Sequence, residues 1–469
     1  MSSRLPWGRW GRVLATGCVG LLVVAACSSS SGTPAPSAAA GSPAAGSAAP
    51  SAAANVYTDP NATDSGGAIT VWVDAPRVPA ADAFKKAHPE IPITVNTIQG
   101  NVGSTDLQQQ FVLFNQAGSG WPDAIFFPSN DDIAWATSSK INYARDLSTL
   151  LPDFLKGYSA AANAPCNIDN QVRCLRNDEA QDVFWYNATL FKQWGYTPPT
   201  TWEDYATLGV KIATEHPGYI SGFLGDAYAP DRYLWASGCP TNDRLSETSV
   251  HINLSDPNCT RVKDVIDQMI AGKALSSVGI FDPNAAQVGP KLAMSPGAVW
   301  WGNYLFRDTW KIPAGQMTAT TPLKWSSDSQ TYTGDEGGGL WGVSSHIKGK
   351  ELANALIFAQ FVAGDPAWQV ELSTGMPAYG PVQQAWLDKQ ASAAYFQDTT
   401  ASGAAFKAAG DMVRGNHYYM LYNTGGIWSK TVTPVLTNGG NLSAAWSAFS
   451  SELLNEAQTF GYTVQATGN

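Results

Sequence analysis

The sequence predicts an α/β fold in which helices cover a largely parallel sheet. Short apolar segments alternate with helical patterns between Ala68 and Phe127, and such alternation is typical of parallel sheets with both faces covered. The same order recurs from Val183, where the apolar run VFWY precedes a helical segment. The chain has 469 residues, enough for roughly two or three domains with cores of their own.

The first elements follow from apolar runs and the residues that end them. AITVWV at 68–73, IPITVNTI at 91–98 and AIFF at 124–127 predict strands, with helices over 80–88 and 106–116 between them. Ligands bind beyond the carboxyl ends of such strands. The residues that end or follow the first and third strands are therefore candidates for ligand contact: Asp74, Arg77, Phe127, Ser129, Asn130 and Asp131.

Asp131 and Asp132 also allow a catalytic interpretation as paired carboxylates. Adjacent residues on a loop usually point apart, whereas glycoside hydrolysis needs two carboxyl groups that face each other across the bond. The sequence therefore favours a binding role for this pair of residues.

The central segment, VFWYNATLFKQWGYTPPTTWEDY from Val183 to Tyr205, predicts a buried strand followed by two helices. The first helix ends at Gly195, and Pro198 and Pro199 cannot continue it. Thr201 is expected to cap a second helix that begins near Trp202, with Asp204 three residues after the cap.

The N-terminus is typical of an exported protein. Arg4, Arg9 and Arg12 precede an apolar run from 13 to 26 that is short for a membrane span and typical of a secretory signal. From 28 to about 65 the chain is rich in Ala, Ser, Gly and Pro with almost no charge. Such a composition does not fold, and we expect a tether.

Several segments, in the same order along the chain, resemble the family 1 extracellular solute-binding proteins of ABC importers. They are the ITVW strand, HPEIPITV, GSGWPDAIFF, the central segment, LAMSPGAVWWGNYLF from Leu292, DEGGGLWGV from Asp335 and HYYMLYNTGGIW from His417. The resemblance implies a periplasmic-binding-protein-like fold, with two α/β lobes joined by hinge crossings and a ligand cleft between them. It places 67–181 with 343–385 in lobe 1, and 182–342 with 386–469 in lobe 2.

Val24-Ala25-Ala26-Cys27 resembles the lipobox of bacterial lipoproteins. This resemblance implies that 1–27 is a signal peptide ending at a lipidated Cys27, and that 28–66 tethers the protein to the extracellular face of the cytoplasmic membrane. Cys18 leaves with the signal, so that four cysteines remain in an oxidising compartment. Sequence allows three pairings; the short loops favour Cys166 with Cys174 and Cys239 with Cys259. A zinc site is disfavoured because the spacings are not CxxC.

The resemblance also implies ligand contacts in both lobes and at the crossings. Flat rings cover the apolar faces of sugars, and the chain has 18 Trp and 17 Tyr. Of Trp300 and Trp301 the first is our choice, but the spacing from Gly297 does not decide between them. The further candidates are Glu179, Asp182, Asp226, Tyr228, Trp300, Trp301, Gly338, Trp341, Tyr422 and Trp428.

We therefore expect a monomeric, lipid-anchored protein that captures a di- or oligosaccharide and delivers it to a membrane permease, without cofactor, metal or catalysis. The formal net charge of −10 and the lack of a Lys/Arg block disfavour nucleic acid as a partner. The alternatives are an extracellular glycoside hydrolase, a binding protein for a non-sugar solute, and a structural surface protein.

Overall fold

The computed structural model describes residues 61–98, 105–415 and 420–465. The predicted signal peptide, Cys27 and the tether up to residue 60 lie outside the described residues. Residues 61–66, expected as the end of the tether, contact the folded part instead. The Thr63 N–H donates to the His346 carbonyl (2.9 Å), and the Asp64 carboxylate accepts from the N–H of Lys350 (3.1 Å).

The described strands are short and agree closely with the predicted ones where the two overlap. They are β1 (Ile69–Asp74), β2 (Ile93–Ile98), β3 (Ala124–Phe127), β4 (Asn167–Ile168), β5 (Gln171–Val172), β6 (Leu175–Arg176), β7 (Asp178–Glu179), β8 (Asp182–Asn187), β9 (Asp243–Ser246), β10 (Ser249–His251), β11 (Met294–Ala298), β12 (Met317–Thr320), β13 (Leu340–Val343), β14 (Met376–Pro377) and β15 (Thr463–Gln465).

The α-helices pack against the sheets. They are α1 (Val78–Ala87), α2 (Thr105–Ala117), α3 (Asn130–Thr137), α4 (Pro152–Leu155), α5 (Ala188–Trp194), α6 (Trp202–Glu215), α7 (Pro257–Ala271), α8 (Ala285–Val288), α9 (Gly349–Gly364), α10 (Pro366–Gln369), α11 (Gly380–Ala393), α12 (Thr399–Gly410), α13 (Thr424–Thr431), α14 (Thr433–Thr437) and α15 (Leu442–Thr459). For example, α9 and α3 pack against β3, and α12 packs against β8. Within the described part of the chain, no helix combines the length and apolar character of a membrane span.

The sheet of the first lobe has the strand order β2-β1-β3-β13-β6. β1, β2 and β3 run parallel, as predicted, whereas β13 runs antiparallel to both β3 and β6. The sheet is therefore mixed, because β13 returns from the second lobe and enters at the edge where β1–β3 end. The core under this sheet includes Phe84, Trp341 and Phe358, all without exposed surface.

The second lobe is built around β8, the central strand predicted from VFWY. β11 and β12 pair with β8 on either side, both antiparallel. Successive side chains of a strand point to opposite faces: Phe184 packs into one apolar cluster, and Val183 and Trp185 pack into another. Burial on both faces explains why this strand is a continuous apolar run rather than an alternating one.

The lobes are connected by chain segments that lie side by side. β7 pairs antiparallel with β14, and Gln181 forms a bridge with Asp335. In the second crossing Gly337, Gly338 and Gly339 have φ of 87°, 87° and 59°, a region that favours glycine. A Cβ at Gly338 would overlap the Asp178 carbonyl, and one at Gly339 would overlap the Phe126 ring. Glycine is therefore required in this crossing by both conformation and space.

Both disulfides favoured by the sequence are formed, Cys166–Cys174 and Cys239–Cys259. The loops that they close span sequence separations of 8 and 20 residues. Cross-linking such loops restricts the unfolded chain. Each disulfide stays within one lobe, so neither restricts rotation at the crossings.

Candidate ligand cleft

A cavity of about 680 Å³ lies between the two lobes, within the usual range for small-molecule sites. The first lobe contributes the carboxyl ends of β1, β2 and β3, as expected for a ligand site on such a sheet. The second lobe contributes the loops 225–228 and 279–282 and the start of the π-helix Trp301–Thr309. The crossings close the cavity at its base through Asp178, Glu336 and Gly338.

The wall from the first lobe is polar and centres on Arg77. Asp74 caps the 3-10 turn Ala75–Arg77: its Oδ1 accepts the Arg77 N–H (3.1 Å) and its Oδ2 accepts from Arg77 Nη1 (3.1 Å). Arg77 Nη2 lies 3.9 Å from Asp178 Oδ1, and the guanidinium lies 4.2 Å from the centre of the Phe126 ring. The arginine is thus held between two carboxylates and a ring.

Both carboxyl groups beside Arg77 have raised pKa values. Burial raises the pKa of Asp178 to about 6, although the charge of Arg77 and a hydrogen bond from Asn177 act in the opposite direction. Burial likewise raises the pKa of Asp74 against the opposing charge of Arg77. The ionised carboxylates are therefore less stabilised than they would be in water. A ligand hydroxyl that donates a hydrogen bond to them would replace part of the lost hydration.

The wall from the second lobe is aromatic and centres on Trp300. Its half-buried ring lies 5.9 Å from Phe281 at an interplanar angle of 9°, and Tyr228 and Tyr304 are 6.0 and 6.1 Å away. Phe281 is 54% exposed, so that an apolar ring faces water at the rim of the cleft. Rings in this arrangement offer flat apolar area to a ligand.

A buried ionic cluster lies beneath the aromatic wall. Arg232 has no exposed surface and pairs through Nε with Glu336 Oε1 (2.6 Å) and through Nη2 with Asp226 Oδ1 (3.2 Å). Its guanidinium also lies 4.6 Å from the Trp301 ring. The carboxylate of Asp226 is therefore engaged with Arg232, although Asp226 lines the cleft.

The predicted contact residues fall into distinct places. Those that line the cleft are Asp74, Arg77, Asp226, Tyr228, Trp300 and Gly338. Lining residues absent from our predictions include Phe126, Asp178, Phe281, Tyr304 and Glu336. Tyr304 lies one helical turn after Trp300, a spacing that predicts a shared face; Phe281 lies in a loop and has no such signal.

Asn130 and Asp131 line a separate cavity of about 20 Å³ between the lobes, together with Asp231 and Asn423. Asp131 and Asp132 belong to the first turn of α3 rather than to a loop, with Ser129 as its N-cap. Asn423 Nδ2 donates to Ser129 Oγ across the lobes (3.2 Å). Asn130 and Asp131 therefore lie beside a small cavity between the lobes instead of lining the main cleft.

Glu179 and Asp182 face away from the main cleft. Glu179 lines a cavity of about 290 Å³ behind the crossings, on the opposite face of β7 from Asp178. Its Oε1 accepts from Gln383 Nε2 (2.9 Å). Asp182 is 1% exposed, and burial together with the charge of Glu336 raises its pKa well above the usual range.

The structure corrects the prediction for the remaining rings, which are packed in the hydrophobic interior: Phe127, Trp301, Trp341, Tyr422 and Trp428. Trp428 has no exposed surface, and its Nε1 donates to the Leu224 carbonyl (2.9 Å). Trp341 is equally buried and donates to Asn177 Oδ1 (3.0 Å). Rings enclosed in this way do not face the cleft, and of the adjacent pair Trp300 and Trp301 only the first does.

Comparison with known proteins agrees with this architecture. Residues 60–293 match the family model "Bacterial extracellular solute-binding protein". The fold is similar to the ABC transporter associated binding protein from B. animalis subsp. lactis Bl-04, solved with beta-1,6-galactobiose (19% identity, 85% of this chain and 99% of that one, TM-score 0.71). No curated protein sequence matches the chain significantly.

Two further solved structures have the same fold. The galacto-N-biose-/lacto-N-biose I-binding protein of Bifidobacterium longum, in complex with lacto-N-biose, is 16% identical over 86% of this chain and 100% of that one, with a TM-score of 0.70. The GacH receptor of Streptomyces glaucescens is 17% identical over 85% and 99%, with a TM-score of 0.63. The chain is a two-lobed periplasmic-binding-protein-like protein. It belongs to the family 1 bacterial extracellular solute-binding proteins.

Proposed function

We propose that the protein binds a carbohydrate, a di- or oligosaccharide, between its lobes and delivers it to the permease of an ABC importer. The observation that carries the proposal is the pairing of two unlike walls across one cleft. Trp300, Phe281 and Tyr304 offer ring faces on one side, and Asp74 and Arg77 offer charged hydrogen-bonding groups on the other. A pyranose has this same combination of apolar faces and a hydroxyl-bearing rim.

Each wall has its own part in binding. The rings cover the apolar faces of the sugar, and each well-placed ring contributes about 0.5–1.5 kcal/mol beyond area burial, by analogy with aromatic pairs. The carboxylates accept hydrogen bonds from hydroxyls and Arg77 donates to hydroxyl oxygens. Rotation at the glycine-rich crossing removes water from both sets of contacts. A few such contacts suffice for micromolar affinity, roughly −8 kcal/mol.

The three solved structures named above support this choice of ligand class. They are described as a complex with beta-1,6-galactobiose, a complex with lacto-N-biose, and a receptor solved with acarbose. The cleft volume of about 680 Å³ accommodates more than a single small solute.

We further propose that Cys27 carries a lipid and that the Ala/Ser/Gly/Pro-rich segment tethers the protein at the extracellular face of the membrane. The support is the sequence Val24-Ala25-Ala26-Cys27 after an apolar run. Metabolic labelling with a fatty-acid analogue tests this proposal. Label that disappears in Cys27→Ser supports it, and unlabelled wild-type protein contradicts it.

Calorimetry against mono-, di- and trisaccharides, with polyols and amino acids as non-sugar solutes, tests the ligand class. We expect stoichiometric binding of at least one di- or trisaccharide and no hydrolysis products on prolonged incubation. Products would favour a glycoside hydrolase. Binding of a non-sugar solute alone would show that the rings recognise a different apolar group.

A further inference from the structure

Glu336, in the second crossing, accepts hydrogen bonds from both neighbouring indoles. Its backbone carbonyl accepts from Trp300 Nε1 (2.9 Å), and its Oε2 accepts from Trp301 Nε1 (3.1 Å). Trp300 lines the cleft, whereas Trp301 is fully buried. A single residue of the crossing therefore fixes both the ring that faces the cleft and the ring that supports it.

The Glu336 side chain is itself held in place by Arg232. Arg232 Nε lies 2.6 Å from Oε1 and Nη2 lies 3.1 Å from Oε2, a two-pronged pair in which neither side chain is exposed. Such bidentate pairs fix geometry as well as charge. Arg232 belongs to the π-helix Pro230–Trp235 of the second lobe and is also paired with Asp226. The carboxylate of Glu336 thus has one fixed orientation relative to the second lobe.

The backbone of Glu336 has a different role, because the three consecutive glycines of the crossing begin immediately after it. The carbonyl that accepts from Trp300 belongs to the peptide group between Glu336 and Gly337. Gly337 and the two glycines after it all have positive φ, and glycine accommodates backbone rotation with little steric cost. Rotation of the lobes about this segment turns the acceptor carbonyl and hence changes the best direction for the indole N–H.

We propose that Glu336 is a positioning residue for Trp300, and that it makes the orientation of this ring depend on the conformation of the hinge crossing. Arg232 holds the Glu336 carboxylate, and the Glu336 carbonyl directs the Trp300 ring toward the ligand when the crossing has the conformation described here. Lobe rotation then also sets the orientation of the Trp300 ring in the aromatic wall. This inference rests on the proposed function of the cleft.

A double-mutant cycle between Glu336→Gln and Trp300→Phe tests the proposal. The first change puts an amide NH₂ in place of one carboxylate oxygen and thereby weakens the contacts to Arg232 and Trp301. The second keeps a ring in the cleft but removes the indole N–H. We expect Glu336→Gln to weaken sugar binding about tenfold in the wild-type background and less than about twofold in Trp300→Phe. Equal losses in the two backgrounds would overturn the proposal.

Glu351→Gln is the matched control, because Glu351 is also buried and accepts a backbone N–H, that of Ser65, far from the cleft. We expect it to leave affinity unchanged. A loss equal to that of Glu336→Gln would show that any buried acid-to-amide change lowers affinity, and would reject a specific role for Glu336.

A fluorescence measurement separates this inference from the proposed function. In each background, the emission of Trp300 in the ligand-free protein is the difference between the spectrum measured with Trp300 and the spectrum measured with Trp300→Phe. We expect this emission to shift to longer wavelength in Glu336→Gln, since a released ring meets more water. Trp301→Phe removes the other indole donor without a charge change and should give a smaller shift of the same sign. Unshifted emission in both variants contradicts the positioning role, whereas absent sugar binding by the wild type contradicts only the proposed function.

Discussion

Trp300 and Trp428 were both predicted to present a ring to the ligand, and the structure gives them opposite environments. Trp300 is half-buried, lies parallel to Phe281 and lines the cleft. Trp428 has no exposed surface and packs at 5.5 Å against Phe449 in the core of the second lobe. The difference teaches that a Trp in a family-like segment has two possible roles, and that the surrounding elements decide between them.

The hydrogen bonds of the two indoles lead to the same distinction. Trp428 donates to the Leu224 carbonyl, which lies just before the cleft loop that begins at Gly225. Trp300 donates to Glu336 in the crossing. The first bond supports a loop from behind, and the second links a cleft ring to the hinge. Substitutions at the two positions should therefore affect different quantities.

Trp428→Ala is expected to have the largest effect, and the effect is on stability. Removing a fully buried indole leaves a cavity and one unpaired carbonyl, which lowers the free energy of unfolding by about 3–5 kcal/mol. Denaturant unfolding followed by circular dichroism measures this change. A variant with wild-type stability that has lost sugar binding would show that Trp428 faces the ligand after all.

Trp300→Ala is the counterpart in the cleft. We expect it to weaken sugar binding by about 1–3 kcal/mol, because a central aromatic contact is lost, and to change the unfolding free energy less than Trp428→Ala does. Calorimetry and denaturant unfolding on the same preparation measure both quantities. A larger effect on stability than on affinity would place Trp300 with the core residues.

Much of the fold could be predicted because its signals are local. Thr201 Oγ1 accepts the Asp204 N–H (3.1 Å), as the capping pattern predicts, and Gly195 ends α5 with φ of 73°. The three consecutive glycines in DEGGGLWGV likewise favour a bend in the backbone. Each of these features depends on residues within a few positions of each other.

The site could be predicted only in part, because its composition depends on contacts that are distant in sequence. Trp300 and Trp301 are adjacent at the start of a helical segment, where successive side chains point in different directions, so that one sequence signal covers a cleft ring and a core ring. Asp178 and Glu179 are adjacent on strand β7, so their side chains point to opposite faces and line different cavities. Phe281 lies in a loop without periodicity, and it is identified by its place in the lining of the cleft and its stacking on Trp300.

The polar wall should give binding a pH dependence that the aromatic wall does not. If ligand hydroxyls donate to the ionised Asp178, affinity rises with pH through its pKa of about 6, by up to about tenfold between pH 5 and 7. Asp178→Asn should remove this dependence, and Trp300→Phe should retain it. Calorimetry across this pH range measures the affinities, and a falling profile in the wild type would contradict ionised Asp178 as the acceptor.

The Asp178 carboxyl has the opposite pH effect on the stability of the ligand-free protein, which falls as pH rises. Its pKa is raised on folding from 3.8 to about 6, so its contribution to stability is fully present below the unfolded pKa and is lost as pH rises through about 6. Asp178→Asn should flatten this part of the stability profile. If stability depends on pH in the same way in the wild type and in Asp178→Asn, the carboxylate is solvated in the ligand-free cleft.

Phe281→Ala is expected to have the smallest effect and tests how far the aromatic wall extends. Because Phe281 is 54% exposed, its loss should change the unfolding free energy by less than about 0.5 kcal/mol. Its parallel stacking at 5.9 Å extends the Trp300 surface, so affinity for a trisaccharide should fall by about 0.5–1 kcal/mol. A monosaccharide that contacts Trp300 alone should be bound as before. Equal losses for both ligands would mean that Phe281 acts by holding the Trp300 ring rather than by contacting a further sugar unit.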